Sequence, residues 1–407
     1  MNNERIAIIT SGYFPVPATL GGAVETLDEN LIKQNEIERR VKFEIFSCYD
    51  SKAKEIAAKY KNTTINFIKT PLFVKCTDRV IYFIAKNILK KKKNLSYRFI
   101  MQRLHFLWKV ARNLHDKDYD KVMLENHSTL FLVLRFYHNY KKYKGRYYYH
   151  LHNVVTNDYG CRRIISNCAK VIGVSNYINM TLKDFLGEDD NNQYCVLRNK
   201  IDRDKFLITL TTDEKKTIRN RLGLKETDKI VLFTGRFSED KGIRELLTAF
   251  KRIGDPDIKL LVAGGYYFGS GLKSLFEEEM KELVAEMKDR VIFTGYIRYE
   301  EIPNLYAIAD LIVVPSMWDD PAPLTVIESL TAGKALITTD SGGIPEYAED
   351  MAIILKRKDQ IIENLTESIE KILSDKKIKK AMEEKALLGT QNWTIREYYN
   401  DFCYNLR

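Results

Sequence analysis

The stretch "KIVLFTGRFSEDKGIREL", residues 229–246, reads as strand, loop and helix in that order. Lys229 to Gly235 is β-rich. Arg236 opens a short polar loop, and Gly242 closes it before the helix. The unit repeats on both sides. Toward the C-terminus, "IKLLVAGG", "RVIFTGY", "LIVVPS" and "ALITTD" read as strands with helices between them. Toward the N-terminus, "RIAIIT", "VKFEIFS", "TINFIK", "KVMLEN", "RYYYHL", "KVIGVS" and "YCVLR" do the same, with Ser128 and Ser175 as candidate helix N-caps. Strands alternating with helices predict parallel sheets covered on both faces. The scheme runs twice. The polar stretch 199–216, with a new N-cap signal at Thr212 to Glu214, separates the two runs.

Length and composition agree with this scheme. The 407 residues are about two to three domains' worth. Apolar residues make up 45%, enough for more than one core. The six cysteines show no metal-type spacing, Cys161 and Cys168 being the closest pair, so reduced thiols in the cytoplasm are expected. The opening "MNNERIAIIT" lacks a signal-peptide apolar core. No run approaches the roughly 18 to 20 apolar residues that span a bilayer.

The net charge of +10 is unevenly placed. Between Arg79 and Arg112 ten Lys or Arg occur with no Asp or Glu, interleaved with apolar residues: "VIYFIAKNILKKKKNLSYRFIMQRLHFLWKV". A solvated basic helix and a basic amphipathic surface facing anionic lipid both fit. Nucleic acid is not expected as a partner, because no nucleic-acid motif accompanies the charge.

Doubly wound sheets bind ligands at the carboxyl ends of their strands. Three loops there stand out. In the first, Gly21 and Gly22 precede a helix, where backbone amides and the helix dipole can meet a phosphate. No G-x-G-x-x-G is present, so a dinucleotide fingerprint is not supported. In the second, Arg236 and Lys241 can converge on one anion at a helix start, a pairing suited to a diphosphate. The third is "WDDPAPLTVIESL", residues 318–330, with Asp320 before the turn and Glu328 about one turn into the helix. Carboxylates beside a phosphate loop suit ligands rich in hydroxyls. A helix-start Asp complementing the dipole also explains Asp320, but leaves Glu328 without a reason.

These motifs, taken in order, resemble those of retaining glycosyltransferase family 4. The N-terminal Gly-Gly loop, "GVSN", "GRFSEDKGIRELLTAF", "FTGYI", "ADLIVVPS", "LTVIESLTAGKALITTDSGGIPE" and "NWTIREYY" carry the resemblance over essentially the whole chain. It implies an α/β GT-B fold, two doubly wound Rossmann-like domains facing each other across a cleft. Residues 1–205 would bind the acceptor and residues 206–391 the nucleotide-sugar. A last helix near residues 392–407 would cross back to the first domain. The resemblance assigns Arg236 and Lys241 to the donor diphosphate and Glu328 to the ribose hydroxyls. Asp320 and His152, of "YYYHLHN", fall near the transferred sugar. Gly21, Gly22, Ile297, Leu324 and Thr325 complete the donor side. Departures are Asp320 where Glu is usual, "PAP" where Pro-Phe-Gly is commoner, and Asn199-Lys200 where Asn-Gly is usual.

The residues are consistent with that chemistry. Glycosyl transfer expels a diphosphate, and preorganised cations with helix N-termini stabilise its growing charge. Arg236, Lys241 and the Gly22 amides can do so without a metal, so no metal or other cofactor is expected. His152 is read as a positioner or hydrogen-bond donor, with His127 and His150 as candidates on the acceptor side. His150 and His152, two apart on one strand, should share a face. The donor is expected to be a UDP-sugar, with GDP second. The acceptor is expected to be a glycan or lipid-linked saccharide in bacterial surface polysaccharide assembly. The expected location is the cytoplasm, with residues 79–112 able to meet the inner membrane face. A non-catalytic nucleotide-binding partner subunit, a sugar-nucleotide epimerase and a lipid-binding protein without enzymology stay open.

Overall fold

The computed structural model describes residues 4–89, 98–188, 193–264, 275–287, 289–295 and 297–407. Lys90 to Lys93, the densest part of the basic segment, lie outside the described residues. The chain forms two compact units: Met1–Arg198 with Tyr398–Arg407, and Asn199–Glu397. The division thus falls seven residues before the expected 205/206 boundary. Asn199 is already tied into unit 2, because its amide donates to the Tyr347 hydroxyl at 2.9 Å.

Unit 1 has strands β1 (Arg5–Ile9), β2 (Lys42–Cys48), β3 (Thr63–Ile68), β4 (Lys121–Glu125), β5 (Tyr147–Leu151), β6 (Lys170–Gly173) and β7 (Tyr194–Val196). Every pairing is parallel, in the order β3-β2-β1-β4-β5-β6-β7. Unit 2 has β8 (Lys229–Thr234), β9 (Ile258–Ala263), β10 (Val291–Gly295), β11 (Leu311–Val314), β12 (Leu336–Thr339) and β13 (Ile353–Leu355), again all parallel, ordered β10-β9-β8-β11-β12-β13. Strand β13 was not read from the sequence. It is a three-residue, half-buried edge strand, too short to show a pattern.

The apolar strands read as continuous runs because both faces are covered. In β8, Ile230 and Leu232 join one core cluster while Val231 and Phe233 join the other. Strand β11 divides in the same way, Ile312 and Val314 against Leu311 and Val313. The helices that matter for the sites are α1 (Ala23–Glu38), α2 (Leu72–Phe83), α3 (Ile100–Asp116), α4 (Asn176–Leu186), α5 (Ile243–Arg252), α6 (Leu324–Thr331) and α7 (Ile395–Asn405). From Tyr398 onward α7 packs into the unit 1 core through Tyr398, Tyr399 and Phe402. The Tyr399 hydroxyl donates to Asn35 Oδ1 at 2.6 Å, and the Tyr148 hydroxyl donates to the Leu406 carbonyl at 3.1 Å.

The caps follow the sequence with two corrections. Ser175 caps α4 as expected, accepting from the Ile178 amide. Ser128 is not a cap. Its hydroxyl donates to the Asn157 carbonyl, and the His127 ring caps the short turn instead. The signal at Thr212–Glu214 is a capping box one residue earlier, between Thr211 and Glu214. All six cysteines are free. Among the described residues no helix is long and apolar enough to cross a membrane.

In each sheet the strand order reverses once, between β1 and β4 and between β8 and β11. There the loops leaving neighbouring strands turn to opposite faces and open a crevice at the carboxyl edge. Gly242 shows how tight the second crevice is. It has φ +70°, and a Cβ there would collide with the Pro315 carbonyl oxygen beyond β11. Gly145 has φ +72° with open space around it. Gly145→Ala should therefore cost only the left-handed backbone penalty, about 1 to 2 kcal/mol. Gly242→Ala should cost clearly more, because backbone must also move. Urea unfolding of both variants checks this, and equal midpoint shifts would contradict it.

Candidate functional sites

At the unit 2 reversal, the loops after β8 and β11 are bonded into one body. The amides of Met317 and Trp318 both donate to the Asp240 carbonyl, at 3.0 and 3.2 Å. Arg236 follows β8 directly, and its guanidinium meets Asp240 Oδ2 at 3.2 Å. Lys241 ends a short 3-10 turn, and its Nζ meets Asp320 Oδ2 at 2.8 Å. Asp320 also accepts from the Ala322 amide at 3.3 Å. The structure therefore pairs Asp320 of the "WDDPAPLTVIESL" stretch with the second cation of the β8 loop, while Asp319 pairs with Arg357.

Glu328 lies on α6 and is buried. The Tyr306 hydroxyl donates to its Oε2 at 3.1 Å, and Tyr306 also meets Thr234 Oγ1 at 2.9 Å. Burial pushes the Glu328 carboxyl up to about 7, against the pull of hydrogen bonds from Tyr299 and Tyr306. Of the other donor-side expectations, Ile297 and Leu324 are half-buried against the unit 2 core. The Thr325 carbonyl accepts from the Ser329 hydroxyl at 2.6 Å.

At the unit 1 reversal, Gly22 caps α1 with no side chain, leaving the first amides of that helix uncovered by any cap. Gly21 bonds back to the Ala18 carbonyl at 3.1 Å. Glu25 and Asp28, on the inner face of α1, are buried. Ser11, just past β1, donates to Glu25 Oε1 at 2.8 Å. Glu125 ends β4, and its register partner on β5 is His150. His150 Nδ1 meets Glu125 Oε2 at 2.9 Å, and His152 Nε2 reaches the same oxygen at 3.4 Å. The two rings share a face as expected, with centroids 4.1 Å apart.

The charges in this cluster oppose one another. Burial raises Glu125, but His150 and His152 outweigh it and draw the carboxyl down to about 2. Burial and the neighbouring His150 hold His152 down to about 4, so it is neutral near neutral pH. Burial, with Glu125 and Glu25 nearby, raises Asp28 well above the carboxylate range. His152 meets His150 Nδ1 and Glu125 Oε2 through Nε2, so Nδ1 is the ring nitrogen turned away from that pair. His150 is fully buried behind it and presents no surface of its own. His127 stands at the rim and is partly exposed.

Among the described residues, Glu125, His150 and His152 are the one group of three or more ligating side chains close enough to gather around a cation. Their mutual distances are those of hydrogen bonds. The Asp-x-Asp triplets of the chain build no such group: Asp118 pairs with Arg146, Asp202 with Lys205 and Asp255 with Lys229.

Sequence reasoning missed Glu125, Tyr299 and Tyr306. Glu125 carried a signal, an acid closing the "KVMLEN" strand. The tyrosines carried none, since they meet Glu328 only through folding.

Comparison with known proteins adds the identity of this arrangement. The family model "Glycosyl transferases group 1" matches residues 214–388, which is most of unit 2. YtcC of Bacillus subtilis, named as a glycosyltransferase, is 27% identical over 294 residues, 69% of this chain and 70% of its own. The lipopolysaccharide 1,2-N-acetylglucosaminetransferase of Salmonella typhimurium is 32% identical over 145 residues, 35% of this chain and 38% of its own. The structure of HepE from Anabaena, solved in complex with UDP, superposes with a TM-score of 0.72 at 16% identity, covering 99% of each chain. Residues 214–388 thus match the glycosyl transferases group 1 family, and the chain has the fold of GT-B glycosyltransferases.

Proposed function

We propose that the chain is a retaining, metal-independent glycosyltransferase of family 4 that takes a UDP-sugar and serves bacterial surface polysaccharide assembly. The observation that carries the donor half is the joined loop pair of unit 2. Two cations at one strand edge, Arg236 and Lys241, are held in place by Asp240 and Asp320 before any ligand arrives. Such preorganised charge is what a leaving diphosphate needs. UDP as the nucleotide is supported by HepE, which was solved with UDP and with UDP-glucose. A polysaccharide role is supported by the lipopolysaccharide transferase relative. In this reading Glu328 accepts from the ribose diol, and Asp320 accepts from a hydroxyl of the sugar. The acceptor hydroxyl attacks from the face that the diphosphate leaves, and its proton passes to a leaving-group oxygen. The salt bridge means that Asp320 acts by orienting Lys241 as well as by meeting the sugar.

The reading extends to an anionic membrane surface. Asp78, the acid just before the basic segment, is buried, and its carboxylate accepts from the Met101 and Gln102 amides at 2.8 and 3.0 Å. It therefore does not neutralise the surface. Leu72 and Phe73, 80% and 70% exposed, and Val80, Phe83, Ile88 and Leu89 face solvent on and beside α2. Apolar side chains beside uncompensated cations suit an anionic leaflet.

Arg236→Ala and Lys241→Ala should each lower turnover of a UDP-sugar about 100- to 1000-fold, the scale of one lost charge stabiliser. The wild type should keep its rate in EDTA. Near-normal rates in either variant, or loss in EDTA restored by magnesium, would sink the respective part of the reading.

Glu328 should make donor binding depend on pH. Its carboxyl sits near 7 when the site is empty, against an ordinary 4.5, so protonation is favoured in the fold. Its contribution to stability is full below 4.5 and is lost as pH rises through about 7. A ribose diol donates to the ionised form, so UDP affinity should climb across that same pH. Calorimetric titration should find this slope flattened in Glu328→Gln; an unchanged slope would place the titration elsewhere.

Replacing Lys90 to Lys93 with Gln should weaken binding to anionic vesicles, by about 1 kcal/mol for each cation that meets the surface, and salt should mimic the effect. Equal binding of the wild type to neutral and anionic vesicles would refute the membrane reading.

A further inference from the structure

Arg103 is a basic-segment residue that is not on the solvated face. It projects from α3 into the loops at the carboxyl ends of β1 and β4. One Nη donates to the Ser11 carbonyl, and Nε donates to Thr129 Oγ1 at 3.1 Å. The guanidinium lies over the Tyr13 ring, 4.8 Å from its centre. Burial lowers its pKa, and the only side chains opposing that effect are Tyr13 and Tyr159, both phenols. Among the described residues no carboxylate pairs with it, although burying a guanidinium without a counter-charge is costly.

The side chains beside this cation can offer protons to a ligand. Thr129 Oγ1 accepts from Arg103, so its own proton goes to His127 Nδ1, 3.0 Å away. The Thr129 amide also points at that nitrogen. His127 therefore carries its proton on Nε2, where it can donate. Burial and the Arg103 charge hold His127 down to about 4, which keeps it neutral and in that tautomer near neutral pH. Tyr13 packs on His127, with ring centroids 5.5 Å apart, and is half exposed, as is Tyr159. Three of the five guanidinium N–H groups are used by Ser11 and Thr129, and two remain.

We propose that Arg103, His127, Tyr13 and Tyr159 form a binding site for a phosphoryl group, carried by the acceptor. One cation, one imidazole N–H and two phenol hydroxyls, with no carboxylate paired to the cation among the described residues, match the oxygens of a phosphate. The site lies at the same strand edge as His152. Helix α3 also carries exposed Leu104 and Trp108 beside Lys109 and Arg112, so a lipid-borne phosphate could arrive along that helix. Assigning the anion to the acceptor rests on unit 1 holding the acceptor. The binding site itself does not, and the experiment reads binding alone.

The full-length protein, with its histidine ring carbons labelled, is titrated with inorganic phosphate while the NMR signal of His127, assigned with His127→Asn, is followed. A saturable shift of that signal is expected. Arg103→Gln should weaken it about tenfold or more, the scale of a lost charge-assisted contact, and Arg103→Lys should recover part of the loss. Arg236→Ala, in unit 2, should leave it unchanged, which separates this site from the donor site. If Arg103→Gln does not fold, the double variant Tyr13→Phe, Tyr159→Phe decides, with a weakening of several-fold expected. Glucose 6-phosphate and short-chain phosphatidic acid are then compared. Tighter binding of the first assigns a soluble sugar phosphate, and of the second a lipid-linked acceptor. A His127 signal that ignores all three probes, or phosphate affinity unaltered in the variants, overturns the site.

Discussion

A parallel sheet ends all its strands' carboxyl termini on one edge, and where the strand order reverses that edge cannot be closed by its own loops. The two reversals, β1 beside β4 and β8 beside β11, are where this chain keeps the charges of its two candidate sites. Most of these side chains stand at the carboxyl end of a strand, a few residues beyond it or in the first turns of the following helix. The middles of the strands are apolar on both faces, so their carboxyl ends are where such groups can be placed at tolerable cost.

The two edges are chemically unlike. In unit 2 each cation faces an aspartate, and the one buried acid is sheltered by tyrosines. In unit 1 three acids crowd beneath α1, and only Glu125 has imidazole partners. Burial above all, with Glu125 nearby, raises Glu25 and Asp28 while Glu125 stays ionised. A negative charge kept beneath His152 fixes the ring through Nε2 and leaves the other nitrogen for work.

The alternation of strands and helices was legible because doubly covered strands leave unbroken apolar runs, and "KIVLFTG" or "LIVVPS" can hardly be anything else. Arg236 and Lys241 were legible because they follow such a run within a few residues, and Glu328 because it sits in the helix after "LIVVPS". The partners of these residues were not legible. Tyr306 reaches Glu328 across 22 positions of sequence, and Lys241 reaches Asp320 across 79. Only the pairing of strands brings them together. The Glu125–His150 contact depends on β4 lying beside β5, a register that composition does not reveal. Arg103 was counted as one surface charge among ten, since nothing in a basic run tells which member turns inward.

The pairing of Lys241 with Asp320 and of Arg236 with Asp240 has a consequence for what the empty protein ignores. Each cation is already neutralised by a tethered carboxylate, so an incoming anion must displace an intramolecular competitor that never diffuses away. A chloride ion or a single phosphate meets a locally neutral surface and gains little. On the proposed reading, a diphosphate would bring enough charge to engage both cations together, in place of the two aspartates. Such a pair of sites would then favour a multivalent anion over a monovalent one.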